Sequence, residues 1–298
     1  MDRQLVVGLE LGGAPPDVAG LAALGRRAEA AGLGFVTLAD ATAGPGTARL
    51  DPVAAAAFLS AHTEAIGLVP MVHTAHAEPF HVSNQLSSLD LGSRGRAGWL
   101  VGTEATPARA AAHAVRHVGD PRTLAAEAAD VVDAARRLWD SWQDDAIVAD
   151  ETTGRFLDAD RVHHVDFESR TFGIRGPALL PRPPQGQVPV VAPEGVLPAE
   201  LVDVEIVRGD GLRTGAPRVV AEIEIGQAGA GAAAELVDAL TRLVGVVDGV
   251  RLLPTDVDRD LALLAAEVLP ALPLRRPAPG ETLRDLFALP RPAGRYAS

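Results

Sequence analysis

The sequence predicts an α/β fold, a (β/α)8 TIM-type barrel. Eight short apolar runs rich in Val, Ile and Leu recur along 298 residues, most of them followed by longer Ala/Leu/Arg segments of helical period. Alternation of this kind implies parallel strands joined by right-handed crossovers, and eight units in roughly 250 residues match a closed barrel. The competing doubly wound sheet normally carries a GxGxxG turn after its first strand. Here the first run is followed by Gly12 and Gly13, with Gly8 before them, a spacing that does not fit.

The elements follow in order. Gln4 to Leu9 reads as the first strand, and Asp17 caps a helix through Gly32 whose Val18, Leu21, Leu24 and Ala28 form an apolar stripe. Phe35 to Ala39 is the second strand. Asp51-Pro52 opens the next helix, to about Glu64, with the acid at the cap and the proline in its first turn. Ile66 to Val72 is the third strand, followed by a helix from Pro79 to Leu91. Gly98 to Val101 is the fourth, followed by a long helix from about Pro121 to Trp142. The alternation then stops. Residues 144–187 form an excursion with two apolar scraps, Val162 to Phe167 and Thr171 to Ile174, too short for an independent domain. Strands resume at Pro189 to Ala192, Asp203 to Val207, Arg218 to Ile225 and Gly249 to Leu253. Helices follow only the last two, at Gly231 to Val244 and Asp256 to Leu269, so helices are short or missing after strands five and six. One domain spans 1–298, and the Pro/Arg-rich tail, 273–298, is expected to lie over its outside.

Composition narrows the chemistry. The chain has no Cys, which removes disulfides and cysteine nucleophiles. All 27 basic residues are Arg, which removes lysine Schiff bases. A net charge of −12 argues against nucleic acid and anionic membranes as partners. The N-terminal segment has no signal-like apolar region and no long apolar run occurs, so a cytoplasmic protein is expected.

In a barrel of this type the chemistry sits where strands end and loops begin. The residues just after the runs are Glu10, Asp40, His73 with Thr74, Thr103 with Glu104, Glu194, Arg208 with Asp210, Gln227 and Thr255. His73 is the general acid/base candidate, because imidazole titrates near neutral pH; a histidine hydrogen-bonded for structure is the alternative. Asp40 is placed to orient a ligand hydroxyl or to cap its own loop. His73, His76 and His81 have irregular spacing for a metal, and none is expected. Arg94-Gly95-Arg96 reads as a surface turn at the opposite end of the barrel. His163-His164 reads as an exposed strand edge, and Trp139 with Trp142 as core packing.

Several ordered segments resemble the bacterial luciferase-like flavin-dependent monooxygenases, in particular the nitrilotriacetate and dibenzothiophene-sulfone monooxygenase branch. They are Glu78-Pro79-Phe80-His81, Ser87-Ser88-Leu89-Asp90, Ser93-Arg94-Gly95-Arg96-Ala97-Gly98-Trp99, Leu138 to Asp145, Gly154 to Asp158, Arg175-Gly176-Pro177, Pro181 to Gly186, Thr282 to Asp285 and Leu289 to Pro292. The resemblance implies a luciferase-like barrel, O2 as oxidant, a small organic substrate, and reduced FMN supplied by a separate flavin reductase. It places Asp40, Thr103 and Gly195 on the cofactor side, and the strand-end residues His73 and Glu104 are the catalytic candidates. A homodimer through the helices flanking strands two to four is also implied; Val82, Leu86 and Leu89 read as that face or as the inner stripe against the barrel.

The flavin site is only partly matched. The family's GWNVVTS reads Gly98-Trp99-Leu100-Val101-Gly102-Thr103-Glu104, and its phosphate-binding His and Tyr fall near Pro121 and Ala125. The QAGxSPAG turn reads Pro193-Glu194-Gly195-Val196-Leu197-Pro198-Ala199-Glu200, with Leu for Ser and two added acids. A doubly charged phosphate needs donors or cations there, so weak or lost FMN binding is expected. Arg208, Arg213 and Arg122 are the cations placed to compensate. The alternative function is a barrel that no longer binds FMN and serves as a partner subunit or small-ligand-binding protein.

Overall fold

A computed structural model describes residues 4–12, 17–40, 49–75, 77–112, 119–209, 215–226 and 231–296. Its strands are β1 (Val6–Glu10), β2 (Phe35–Leu38), β3 (Gly67–His73), β4 (Trp99–Gly102), β5 (Ile147–Asp150), β6 (Arg155–Leu157), β7 (Phe167–Glu168), β8 (Gly173–Ile174), β9 (Val190–Pro193), β10 (Val204–Val207), β11 (Arg218–Glu224) and β12 (Gly249–Leu253). Eight of them close a parallel barrel in the order β1-β12-β11-β10-β9-β4-β3-β2. The fold class read from the sequence is therefore the observed one.

Strand alternation divides the core in two. Val6, Phe35, Val69, Leu100, Val191, Val204, Ile206 and Val220 meet inside the barrel. Their neighbours of opposite parity, among them Val7, Leu9, Val36, Leu68, Trp99 and Val250, pack in the larger cluster under the helices. Those helices include α1 (Val18–Ala30), α2 (Pro52–Ser60), α3 (Pro79–Ser93), α4 (Pro107–Ala112), α5 (Pro121–Trp139), α6 (Ala232–Leu243) and α7 (Val257–Leu263). Caps set their starts: Asp17 accepts from Ala19 N–H, Asp51 from Val53 and Ala54 N–H, and Asp120 from Thr123 N–H. Val82, Leu86 and Leu89 of α3 are buried against the body of the protein. After β9 a 3₁₀ turn, Ala199–Leu201, stands where a crossover helix would be, and no helix follows β10 among the described residues.

The excursion forms two small antiparallel sheets outside the barrel, β5 with β6 and β7 with β8. Trp142 donates its indole N–H to Ala178 O, and Trp139 stands edge-on to Trp99 at 6.4 Å. His163 is half-buried and stacks on Tyr296 at 4.0 Å rather than forming an exposed edge.

Two expectations are corrected at the N-terminal end of the barrel. The tail does not simply cover the outside. Its short helix α8 (Leu283–Leu286), with Phe287 and Leu289, joins the interior cluster and plugs the barrel floor. Glycines make the room: a Cβ at Gly67 or Gly98 would stand 2.6 or 2.7 Å from the Leu283 methyls. Arg94-Gly95-Arg96 is likewise no mere surface turn. The Arg96 guanidinium is buried and donates to Ser93 O, Thr63 Oγ1, Ile66 O, Ser60 O and Thr63 O. A sequence shows the charge of an arginine but not the ring of carbonyls that satisfies it.

A buried polar clamp holds this plug. Asp203 accepts from Arg136 Nη2 at 2.8 Å, Arg284 Nη1 at 3.1 Å and Val190 N–H at 2.9 Å. Gln185 donates to Asp90 Oδ1 and Ala97 O and accepts from Arg284 N–H. Burial raises the Asp90 carboxyl from 3.8 to about 6, against the lowering effect of its Gln185 and Ala97 hydrogen bonds. The folded state thus holds a proton that the unfolded chain releases, so the Asp90 contribution to stability declines as pH rises from about 4 to about 6. Other carboxylates slope the opposite way, Asp144 among them, held low by Arg291. Urea midpoints for wild type minus Asp90→Asn, measured at pH 4, 5 and 6, are expected to fall steadily across that window.

Candidate active site at the barrel mouth

The C-terminal strand ends enclose an open cavity of about 410 Å³. Met71, Leu100, Pro193 and Ile206 give it an apolar floor, and Glu194, Arg208, Glu222 and Arg251 a charged wall. A larger hollow of about 610 Å³ lies at the opposite end, beside the plug residues Leu286 and Phe287. Catalysis in barrels of this class is built at the C-terminal face, so the smaller cavity is the candidate site.

One wall is an ionic chain across four strands. Arg251 of β12 pairs with Glu10 of β1 and Glu222 of β11, and Glu222 in turn pairs with Arg208 at the end of β10. Thr37 Oγ1 completes the inner part, donating to Glu10 Oε2 at 2.7 Å and accepting from Arg251 Nε at 3.0 Å. Glu10 Oε1 also accepts the amides of Gly12 and Ala39, at 2.8 and 2.9 Å. The network thereby fixes the chain immediately before Asp40. Glu10, Glu222 and Arg251 are almost wholly buried, whereas Arg208 is 75% exposed at the rim.

On the other side of the barrel, His73, Asp40 and Glu104 stand at the ends of β3, β2 and β4. The His73 ring is buried; Nδ1 accepts the Glu104 N–H at 3.0 Å, so in the neutral ring the proton resides on Nε2. Nε2 stands 4.0 Å from both Asp40 Oδ2 and Glu104 Oε2. With its Nδ1 lone pair taken by the Glu104 amide, the ring presents Nε2–H as a donor toward the two carboxylates, which are the groups here able to accept and return a proton. Gly102 is what lets the ring lie there: a Cβ would stand 2.5 Å from Nδ1. Gly102→Ala is expected to expel the ring, cost roughly 1–3 kcal/mol of stability, and abolish the Nε2-protonated signature in a histidine ¹⁵N spectrum.

The structure therefore brings together three residues named from the sequence. Thr103, half-buried, follows on the same strand end, and Glu194 reaches the cavity from the neighbouring β9. Gly195 takes a left-handed conformation, φ 74°, but points its N–H at Glu205 Oε1. Asp210, Gln227, Arg213 and His76 lie outside the described residues. Arg122 is exposed at the start of α5. Strand-end reading missed Thr37, Glu222 and Arg251, which lie inside their strands. Their signal was present: each is polar at the interior parity of an apolar strand. Among the described residues no group of three His, Asp or Glu side chains is arranged to hold a metal ion. Nor is any described helix long and apolar enough to cross a membrane.

The family model for luciferase-like monooxygenases matches residues 5–242. The chain belongs to that family. Among curated relatives of this luciferase-like chain, a subunit of the pristinamycin IIA synthase of Streptomyces pristinaespiralis is 35% identical over 91% of this chain and 89% of its own. N-acetyl-S-(2-succino)cysteine monooxygenase of Bacillus subtilis is 36% identical over 49% of this chain. That match spans only 33% of the Bacillus protein. A riboflavin lyase structure with modified FMN and riboflavin superposes with a TM-score of 0.80 at 20% identity, over 96% of each chain, a likeness of fold.

The residues at the family's phosphate position do not fit an FMN phosphate. Leu197, in place of the serine, is buried in the core. The turn's amides are consumed by the chain itself: Glu194 N–H by Ile206 O, Gly195 N–H by Glu205, and Val196 N–H by Pro193 O. On α5, Pro121 offers no N–H and Ala125 no side-chain donor, while the Asp120 carboxylate already occupies the helix start. Arg208 is engaged by Glu222.

Proposed function

We infer that this luciferase-like chain works as a flavin-dependent monooxygenase acting on a small organic substrate, with O2 as oxidant and reduced FMN from a separate flavin reductase in the cytoplasm. The observation that carries this reading is His73, held in one tautomer between Asp40 and Glu104 beside an apolar-floored cavity. When present, a reduced flavin supplies the oxygen chemistry. The chain supplies the rest. Met71, Leu100 and Ile206 shelter an apolar substrate from water, Arg251 and its carboxylates keep the mouth rigid, His73 Nε2–H donates a hydrogen bond that orients the reacting molecule, and the Glu104 carboxylate takes or returns the proton. Asp40, Thr103 and Gly195 are the cofactor-side residues in this reading, and pairing into a homodimer through α2 and α3 belongs to it as well. The test is flavin-dependent oxygen uptake with a reductase and a panel of small organic substrates. His73→Ala is expected to lower substrate-stimulated uptake at least 100-fold; equal rates contradict the reading.

The misfit at the phosphate position favours a second reading, in which the chain is the partner subunit of a flavin-bearing barrel or a small-ligand-binding protein. Its relative of nearly equal length, from the pristinamycin IIA synthase, is named as one subunit of that enzyme. Co-purification of a second, flavin-binding chain, with oxygenase activity only in the pair, distinguishes the two.

A further inference from the structure

Within the proposed flavin-dependent reading, we propose that the mouth of this barrel excludes phosphate, so that any flavin reaching it is held through its ring system and not through an anionic arm. Four independent features of the chain converge on this. The first is steric: at the position where the family pattern places a hydroxyl, Leu197 is 7% exposed and packed among core residues, so no donor faces the mouth from there. The second concerns the backbone. A phosphate held by a turn needs N–H groups aimed outward, yet Glu194, Gly195 and Val196 all spend theirs internally, and Leu201 and Val202 donate to Pro198 O and Ala199 O.

The third feature is helical. The crossover after β9 is a three-residue 3₁₀ turn with no helix to present free amides. The start of α5 is filled by the chain's own anion: Asp120 accepts from Thr123 N–H at 3.0 Å and from Thr123 Oγ1 at 2.6 Å. The fourth is charge. Glu194 and Glu200 are exposed on the same turn, and Glu104 stands at the end of the adjoining strand β4. Arg251 is committed to Glu10 and Glu222, and Arg208 to Glu222. Among the described residues the charges this turn presents to solvent, Glu194 and Glu200, are negative, and a dianionic phosphate monoester approaching it is repelled. The apolar floor of Met71, Leu100, Pro193 and Ile206 remains open to a neutral planar ring.

Titration of the intact protein with FMN and with riboflavin, oxidised and then anaerobically reduced, followed by calorimetry, tests this. Riboflavin is expected to bind as tightly as FMN or more tightly. The disadvantage of FMN is expected to shrink between 20 mM and 500 mM salt, as screening removes the repulsion. Glu200→Gln, an exposed substitution outside the cavity lining, is expected to improve FMN by roughly fivefold while leaving riboflavin unchanged. FMN binding threefold or more tightly than riboflavin overturns the proposal, as does competition of FMN by inorganic phosphate. Binding of neither flavin agrees with a mouth that has no phosphate grip, and it contradicts instead the reading of this chain as the flavin-using subunit.

Discussion

Arg251→Ala is expected to be among the most damaging single changes in this protein, lowering stability by about 3–5 kcal/mol. The guanidinium is the common partner of Glu10 and Glu222, both almost wholly buried. Its removal leaves two carboxylates close together in a low-dielectric barrel with one hydroxyl, Thr37, and two amides to satisfy Glu10. For a chain of this length that corresponds to a melting temperature lower by roughly 10 °C, read by scanning calorimetry. The origin of the loss is separable from packing. Arg251→Met combined with Glu10→Gln and Glu222→Gln removes the uncompensated charge together with the cation and is expected to recover most of the melting temperature. Failure of the triple variant to recover would show that Arg251 acts through shape and not through charge.

Asp203→Ala is expected to cost about as much, some 3–5 kcal/mol, at the opposite end of the barrel. Here the charge left behind is positive: Arg136 and Arg284 both lose their carboxylate, and the Val190 N–H loses its acceptor. Arg284 belongs to α8, so release of the clamp frees the plug that fills the barrel floor. The two substitutions differ in what else they change. Asp203→Ala is expected to leave the His73 tautomer intact in a ¹⁵N spectrum recorded at low temperature, whereas Arg251→Ala is expected to disturb it through the Glu10 contact to Ala39 N–H, next to Asp40.

This division explains what was legible in the sequence. The barrel was readable because its eight strands are short, predominantly apolar runs and its helices carry acidic caps such as Asp17, Asp51 and Asp120. The segments that carry the family resemblance are largely framework. Asp90, Arg96, Gln185 and Arg284 stitch the N-terminal end of the barrel and never approach the mouth, so a strong resemblance establishes the fold more firmly than the chemistry. His73, Asp40 and Glu104 were readable because each stands at the end of a strand. Arg251, Glu222 and Thr37 were marked only by their polarity at interior positions, and their pairing was not readable, since nothing local shows that three residues up to 214 positions apart share one hydrogen-bonded chain. The role of α8 is hidden for a related reason. Thr282 to Leu289 reads as part of a tail over the outside until the glycines at 67 and 98 are seen to leave space for Leu283.

Hydrogen exchange measured with and without riboflavin, in oxidised and reduced form, tests the placement of function at the mouth most directly. Protection is predicted at the strand ends around the cavity-lining residues Met71, Leu100, Pro193 and Glu194, extending to His73 and Glu104, with no change around 245–248 or 285–288, where the larger hollow lies. Absence of protection at the mouth, or protection confined to the plugged end, would contradict the assignment of His73 and its two carboxylates to the working site.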